Sequence, residues 1–295
     1  MEDIVERLKK NRPNLTESSL KTYKSSLNSL HKKCFGKKEI ELKDFEDECI
    51  MEHLKDLPWN KRGTIASALV VLTDKEEYKQ IIKTDKKDRK EHFTSQEKTE
   101  RESENMIPFE EVQEKLDELK RTATIAYAQI LASKKEASME SLQMIQNYIL
   151  LALTSGIYIS PRRSQDWIMK WKNYDEEKDN YVDMKKNKFV FNDYKTKKVY
   201  GTQTVDIPKE LKTILLKWLK VNPYDYIFFN NSGASLSQST LAKKLMKIFG
   251  KSISTSMLRH IYLTHKFGNV NLKDLSETAS EMGTSPLVAL EYVKR

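Results

Sequence analysis

Thirteen residues near the middle of the chain, MIQNYILLALTSG (144–156), constrain the fold more than any other stretch. They are apolar almost all round. A helix of that kind is either buried in a protein core or spans a membrane. A span needs about 18–20 consecutive apolar residues, and no stretch of the sequence reaches that. The run is therefore expected to be a central core helix that stops at Gly156, with other elements wrapped around it. The chain is long enough to supply them. Its 295 residues suggest about two domains, and 38% hydrophobic content is enough for packed cores.

The elements before this helix are helical. Thr16 reads as an N-cap, with Leu20, Tyr23, Leu27 and Leu30 following at spacings of three and four, and Gly36 closes the segment. FEDECIMEHLKDL, ending at Pro58, reads as a second helix, KRGTIASALVVLTD as a third and EEYKQIIK as a fourth. Together they suggest a helical domain over 1–82. Residues 83–105, KTDKKDRKEHFTSQEKTERESEN, carry Phe93 as their only large apolar residue. Such a stretch buries too little to fold and is expected to be a charged linker, or else a solvated helix.

A second domain is expected over 106–295. Pro108 suits the first helical position before FEEVQEKLDELKRTA. YVDMKKNKFVFNDYKTKKVYGTQTVDIP alternates apolar and polar residues, which predicts two or three antiparallel strands with Lys-rich turns. PKELKTILLKWLKVN follows as an amphipathic helix and YIFFN as a short strand. Three helices, SQSTLAKKLMKIFG, TSMLRHIYLTHKFG and LKDLSETASEMG, come next. The fold class is thus mainly α with a small antiparallel sheet (α+β). No internal repeat is visible.

Charge narrows the partners. The net charge is +9, the footprint expected of a nucleic-acid binder, although many basic proteins bind none. The first residues, MEDIVERLKKNRPN, lack the apolar core of a signal peptide. Cys34 and Cys49 are the only cysteines and form no metal or redox pattern. They suggest no disulfide framework and an intracellular, reducing location.

Four stretches could carry chemistry. In SPRRSQD (160–166), two arginines precede an acid. Asp166, three residues after Arg163, could orient a guanidinium, and a loose surface pair would look the same. In DYKTKKVYG, a hairpin lysine could donate to a phosphate or simply be solvated. In STSMLRHIYLTH (254–265), Arg259 lies one turn into a helix whose N-terminus favours anions. His260 and His265 do not share a face well enough for a metal site, and packing explains them equally. Finally Tyr292 stands three residues from the end, where it is either incidental or a nucleophile.

The order of these groups resembles the tyrosine recombinase (phage integrase) family, whose catalytic domain reads Arg, Lys, His-x-x-Arg, His or Trp, and Tyr. The resemblance covers roughly 105–295, and the PxRxxD spelling is closer to the eukaryotic-virus and mobile-element branches than to the GLRxxE pattern. It implies that Arg163 is the first arginine, with Arg162 a possible substitute, and that Asp166 is its supporting acid. Lys195 matches the hairpin lysine, with Lys197 and Lys198 as fallbacks. Arg259 matches the second arginine, with His260 beside it, and Tyr292 the nucleophile. Ser256 stands in place of the first histidine and Thr284 in place of the second histidine or tryptophan. Their hydroxyls can donate hydrogen bonds but do not titrate near neutrality.

What the resemblance implies is site-specific strand cleavage and rejoining on double-stranded DNA through a 3′-phosphotyrosine, without metal or other cofactor. Arg162, Lys197 and Lys198 would touch DNA, and a homotetramer would form on it. The helix that comes after the tyrosine in many relatives is not expected here. A type IB topoisomerase shares the same chemistry, and a decayed recombinase acting as a DNA-binding protein fits the losses at Ser256 and Thr284.

Overall fold

The computed structural model describes residues 2–36, 38–95, 97–133, 137–267 and 272–293. The chain divides into two compact units, Met1–Ser95 and Gln96–Arg295.

The first unit is helical throughout its described residues. It contains α1 (Glu2–Asn11), α2 (Glu17–Phe35), a 3-10 turn at Leu42–Glu46, α3 (Glu48–Lys55), α4 (Trp59–Thr73) and α5 (Glu76–Ser95). Thr16 caps α2 by accepting from the Ser19 amide at 3.2 Å, and Leu20, Tyr23, Leu27 and Leu30 face the core. The expected second helix is instead the 3-10 turn plus α3, because Asp47 accepts from the Cys49 amide at 2.9 Å and restarts the helix there. Beside it Asp44 is buried against His31 at 2.9 Å and Lys38 at 2.7 Å.

One expectation is corrected in this unit, and one stretch with two expected forms adopts one of them. Cys34 and Cys49 form a disulfide, their Cα atoms 5.9 Å apart, so the two cysteines do build a framework, one that staples the end of α2 to α3. The charged stretch from residue 83 takes the second of its two expected forms, a helix, as far as Ser95. α5 runs through it to Ser95, and a short helix, α6 (Glu100–Asn105), comes after it. A buried ion pair replaces the missing apolar anchors, as Arg62 of α4 donates to Asp85 of α5 from Nε at 2.8 Å and Nη2 at 2.6 Å.

In the second unit α7 (Phe109–Ala132) packs along α8 (Met139–Thr154), the apolar helix at the centre of the core. Even its buried amide side chain is used, with Gln146 Oε1 accepting from the Phe229 amide at 3.0 Å. Past α8, a 3-10 turn at Ser164–Trp167 leads into β1 (Met169–Lys170), β2 (Asn180–Asp183) and β3 (Lys188–Phe191). Then come α9 (Lys197–Tyr200) and β4 (Gln203–Asp206). The sheet order is β1-β2-β3-β4. It is mixed rather than purely antiparallel: β1 runs parallel to β2, Met169 opposite Asn180, while the other pairs are antiparallel. YIFFN makes only isolated bridges, Tyr226 to Lys170 and Phe229 to Ser235, and no strand of its own. The remaining helices are α10 (Lys209–Val221), α11 (Gln238–Phe249), α12 (Thr255–Phe267), α13 (Leu272–Glu281) and α14 (Pro286–Leu290).

Gly156 sets the path of the chain as it leaves α8. Its φ is +89°, and a β-carbon there would lie 2.3 Å from the Tyr262 ring of α12. Only glycine lets the chain turn this close to α12, and so bring the arginine-bearing loop onto it.

Candidate active site

The loop after α8 carries Arg162 and Arg163, and the two side chains have different fates. Arg162 is 1% exposed and has spent its guanidinium. Its Nε donates to Asp166 Oδ2 at 2.8 Å, Nη1 to the Glu281 carbonyl at 2.6 Å and Nη2 to Gln203 Oε1 at 2.9 Å. Its Cζ lies 4.0 Å from the centre of the Phe191 ring, where β3 ends. Burial pulls the Arg162 pKa down and pushes that of Asp166 up, each against the attraction of the other. The acid expected to orient Arg163 therefore serves Arg162, and Arg162 is a buried strut rather than a group presented to a ligand. Arg163 is half-buried, and its Nη1 donates to the Gly283 carbonyl at 3.3 Å.

The turn 282–285 sits on these arginines. Gly283 has φ +64°, and a β-carbon there would meet Arg162 Nη2 at 2.8 Å and Gln203 Oε1 at 3.1 Å. Its carbonyl also accepts from Thr196 Oγ1 at 2.9 Å. That bond ties the β3–β4 connection, and with it the backbone next to Lys195, to the same turn. The Lys195 side chain is exposed, Lys197 is half-buried and Lys198 exposed on α9. Thr284 is buried, its amide donating to the Ala279 carbonyl at 2.9 Å.

The third component is α12. Its first residue, Thr255, is buried and shares a 2.8 Å hydroxyl–hydroxyl bond with Ser164, joining the helix start to the arginine loop. Ser256, next along, is exposed. Arg259 is 1% exposed, and its Nη1 donates to the Tyr292 hydroxyl at 3.1 Å, with Cζ 4.4 Å from the ring centre. Its Nε and Nη2 are buried without a partner among the described residues. Burial pulls the Arg259 pKa down. Tyr292 opposes that shift, Arg163 adds to it, and Asp166 opposes it. Arg163, Asp166 and Arg259 thus share one electrostatic neighbourhood.

Tyr292 comes just after α14, which Ser285 caps by accepting from the Val288 amide at 3.3 Å, with Pro286 at the first position. Its carbonyl accepts from His260 Nδ1 at 3.0 Å and from Thr264 Oγ1 at 3.4 Å. His260 Nε2 faces Glu102 Oε1 of α6 at 3.5 Å.

Residues far apart in sequence therefore converge: Arg163, Asp166, Arg259, Tyr292 and the backbone beside Lys195. The Ser256 side chain, turned to solvent, does not join them. Gln203, Thr196, Glu281 and Glu102 were not singled out from sequence. No group of three or more His, Cys, Asp and Glu among the described residues could hold a metal ion.

No family model matches the sequence, and no curated protein sequence matches it. Solved structures do. A lambda integrase dimer bound to a COC′ core site is similar at a TM-score of 0.50 and 14% identity, over 99% of this chain and 76% of that one. A second structure, lambda integrase (75–356) on the same site, gives 0.49 and 14%, over 99% and 94%. XerA recombinase gives 0.43 and 13%, over 100% and 94%. The first of these establishes a likeness of fold: a helical chain with a small mixed sheet, the α+β arrangement of the tyrosine recombinase catalytic domain.

Proposed function

We propose that this chain cuts and rejoins double-stranded DNA through a phosphotyrosine, as a site-specific recombinase. One observation carries the reading. Arg259 is buried, holds the Tyr292 hydroxyl with one N–H, and has two further donors that meet no partner among the described residues. A buried cation with unmet donors is costly unless an anion completes it. A phosphate diester placed there would meet the nucleophile's oxygen and a guanidinium fork together. Arg163, which gives an N–H to the Gly283 carbonyl, would be the second clamp.

The chemistry balances without a metal. Tyr292 Oη forms a bond to phosphorus, and the bond to the 5′ oxygen breaks. The phenolic proton leaves to solvent, and Lys195 donates a proton to the departing 5′ oxygen. The arginines stabilise charge on the equatorial oxygens. The reverse attack by a 5′-hydroxyl restores the diester. Lys197 and Lys198, two and three residues beyond Lys195, would meet backbone phosphates, so binding should weaken steeply with salt. Assembly as a homotetramer on two sites, and kinship with viral or mobile-element enzymes, belong to the same reading.

The test uses suicide duplexes, nicked so that the short fragment bearing the freed 5′-hydroxyl diffuses away, tiled across the DNA that flanks the gene. Wild-type protein should become covalently bound and Tyr292→Phe should bind without an adduct. Relaxation of any supercoiled plasmid would mark a topoisomerase instead. Binding with no adduct on any duplex would overturn the catalytic reading and leave a DNA-binding protein.

A further inference from the structure

Tyr292 is pinned at both ends by one helix. Arg259 of α12 holds the hydroxyl, while His260 and Thr264 of the same helix hold the carbonyl. A carbonyl has no proton to give, so His260 Nδ1 carries the hydrogen of that bond. The ring also packs against the tyrosine, with centroids 4.6 Å apart. Just beyond α14 the Tyr292 and Val293 amides make turn bonds to the Ala289 and Leu290 carbonyls, and Val293 is buried in the core.

The far side of His260 is fixed as well. Glu102 Oε1 faces Nε2, and Glu102 Oε2 accepts from the Thr99 amide at 2.9 Å and the Thr99 hydroxyl at 3.0 Å, closing the capping box of α6. α6 is in turn moored just ahead of α12. Asn105 Oδ1 accepts from the Ser252 amide at 2.7 Å, and Arg101 Nη2 donates to Ser252 Oγ at 3.0 Å. A carboxylate opposite Nε2 holds the ring when Nε2 also carries a hydrogen, as in the imidazolium, and it then fixes the bond that Nδ1 makes.

We propose that His260, oriented by Glu102 of α6, is a positioning residue that sets the reach of Tyr292. α6 is then part of the active-site scaffold. The proposal rests on the strand-cleavage reading for its kinetic consequence, and its geometric content is tested separately.

Single-turnover adduct formation on a suicide duplex, at saturating protein, separates positioning from DNA affinity. His260→Ala should slow it about 10²-fold, the loss typical of a misplacement of about 1 Å, with DNA affinity unchanged. Glu102→Gln should slow it by a smaller factor. In His260→Asn the side-chain amide N–H falls where Nδ1–H was, so most of the rate should return. His260→Gln places its amide at the Nε2 position and should not rescue. Equal rates for the Ala and Asn variants, or wild-type rates for both, overturn the proposal.

If wild-type protein makes no adduct, cleavage itself is refuted and the second readout decides. With 3-fluorotyrosine incorporated at 292, the ¹⁹F resonance should be single and sharp in wild type and His260→Asn, and shifted or broadened in His260→Ala. An unchanged resonance in His260→Ala overturns the proposal regardless of activity.

Discussion

Asp166→Ala tests which arginine the buried acid serves. Asp166 is 0% exposed and Arg162 1%. Removing the carboxylate leaves a buried guanidinium with two neutral acceptors, the Glu281 carbonyl and Gln203 Oε1, over the Phe191 ring. Breaking a buried pair by deleting one partner costs about 3–5 kcal/mol, because the other charge stays uncompensated. Burial disfavours both charged forms here, so the pair as a whole is worth less than that. Arg162→Met combined with Asp166→Leu should therefore cost less than Asp166→Ala alone. Urea unfolding followed by tryptophan fluorescence suits the measurement, since Trp167, Trp171 and Trp218 lie in the second unit and only Trp59 in the first. Double-mutant cycles complete it. Coupling of Asp166 to Arg162 should exceed about 1.5 kcal/mol, within the range for contacting charged partners, and coupling to Arg163 should be well below it. A cost under about 1 kcal/mol for Asp166→Ala, far short of that for a broken buried pair, or a larger coupling to Arg163, would refute the assignment.

Gly283→Ala should cost about 1–2 kcal/mol for a left-handed backbone, plus about 1.5–3 kcal/mol if the charged Arg162–Gln203 bond gives way. The urea midpoint measures this. In the first unit, Lys38, the Glu41 amide and His31 together hold the Asp44 carboxyl well below its ordinary value. A depressed carboxylate stabilises the fold above its unfolded pKa, near 3.9, and that stability is lost as pH falls through the folded pKa. Asp44→Asn should therefore lower the melting temperature at neutral pH, with the deficit shrinking below about pH 4, where the unfolded carboxyl protonates. A deficit independent of pH down to the acid transition would contradict it.

Much of this site could be read from sequence because each component sits at a legible punctuation mark. The all-round apolar run dictated α8, and Gly156 ended it. Arg259 lay within one turn of a helix start, and Tyr292 came after Ser285 and Pro286, a cap and a first-turn proline. The partner of Asp166 was not legible. Arg163 takes the extended cap conformation of the 3-10 turn, φ −72° and ψ 158°, so the helical i to i+3 rule fails and the acid reaches back to Arg162. Helix over 83–95 was one of two forms the sequence left open. It lacks apolar periodicity, and its anchor, Asp85, is recognisable only once Arg62 is known to lie beside it. The pairing of Cys34 with Cys49 depends on how α2 and α3 meet, which spacing alone does not reveal.

The Gly283 carbonyl accepts from both Arg163 and Thr196. An anion that took both terminal N–H groups of Arg163 would strip that carbonyl of one of its two tethers. The strap leading to Tyr292 would slacken as the anion arrived, and the freed carbonyl would hang from the β3–β4 connection alone. Occupancy and release would then be two faces of one exchange, settled by which oxygen the guanidinium prefers.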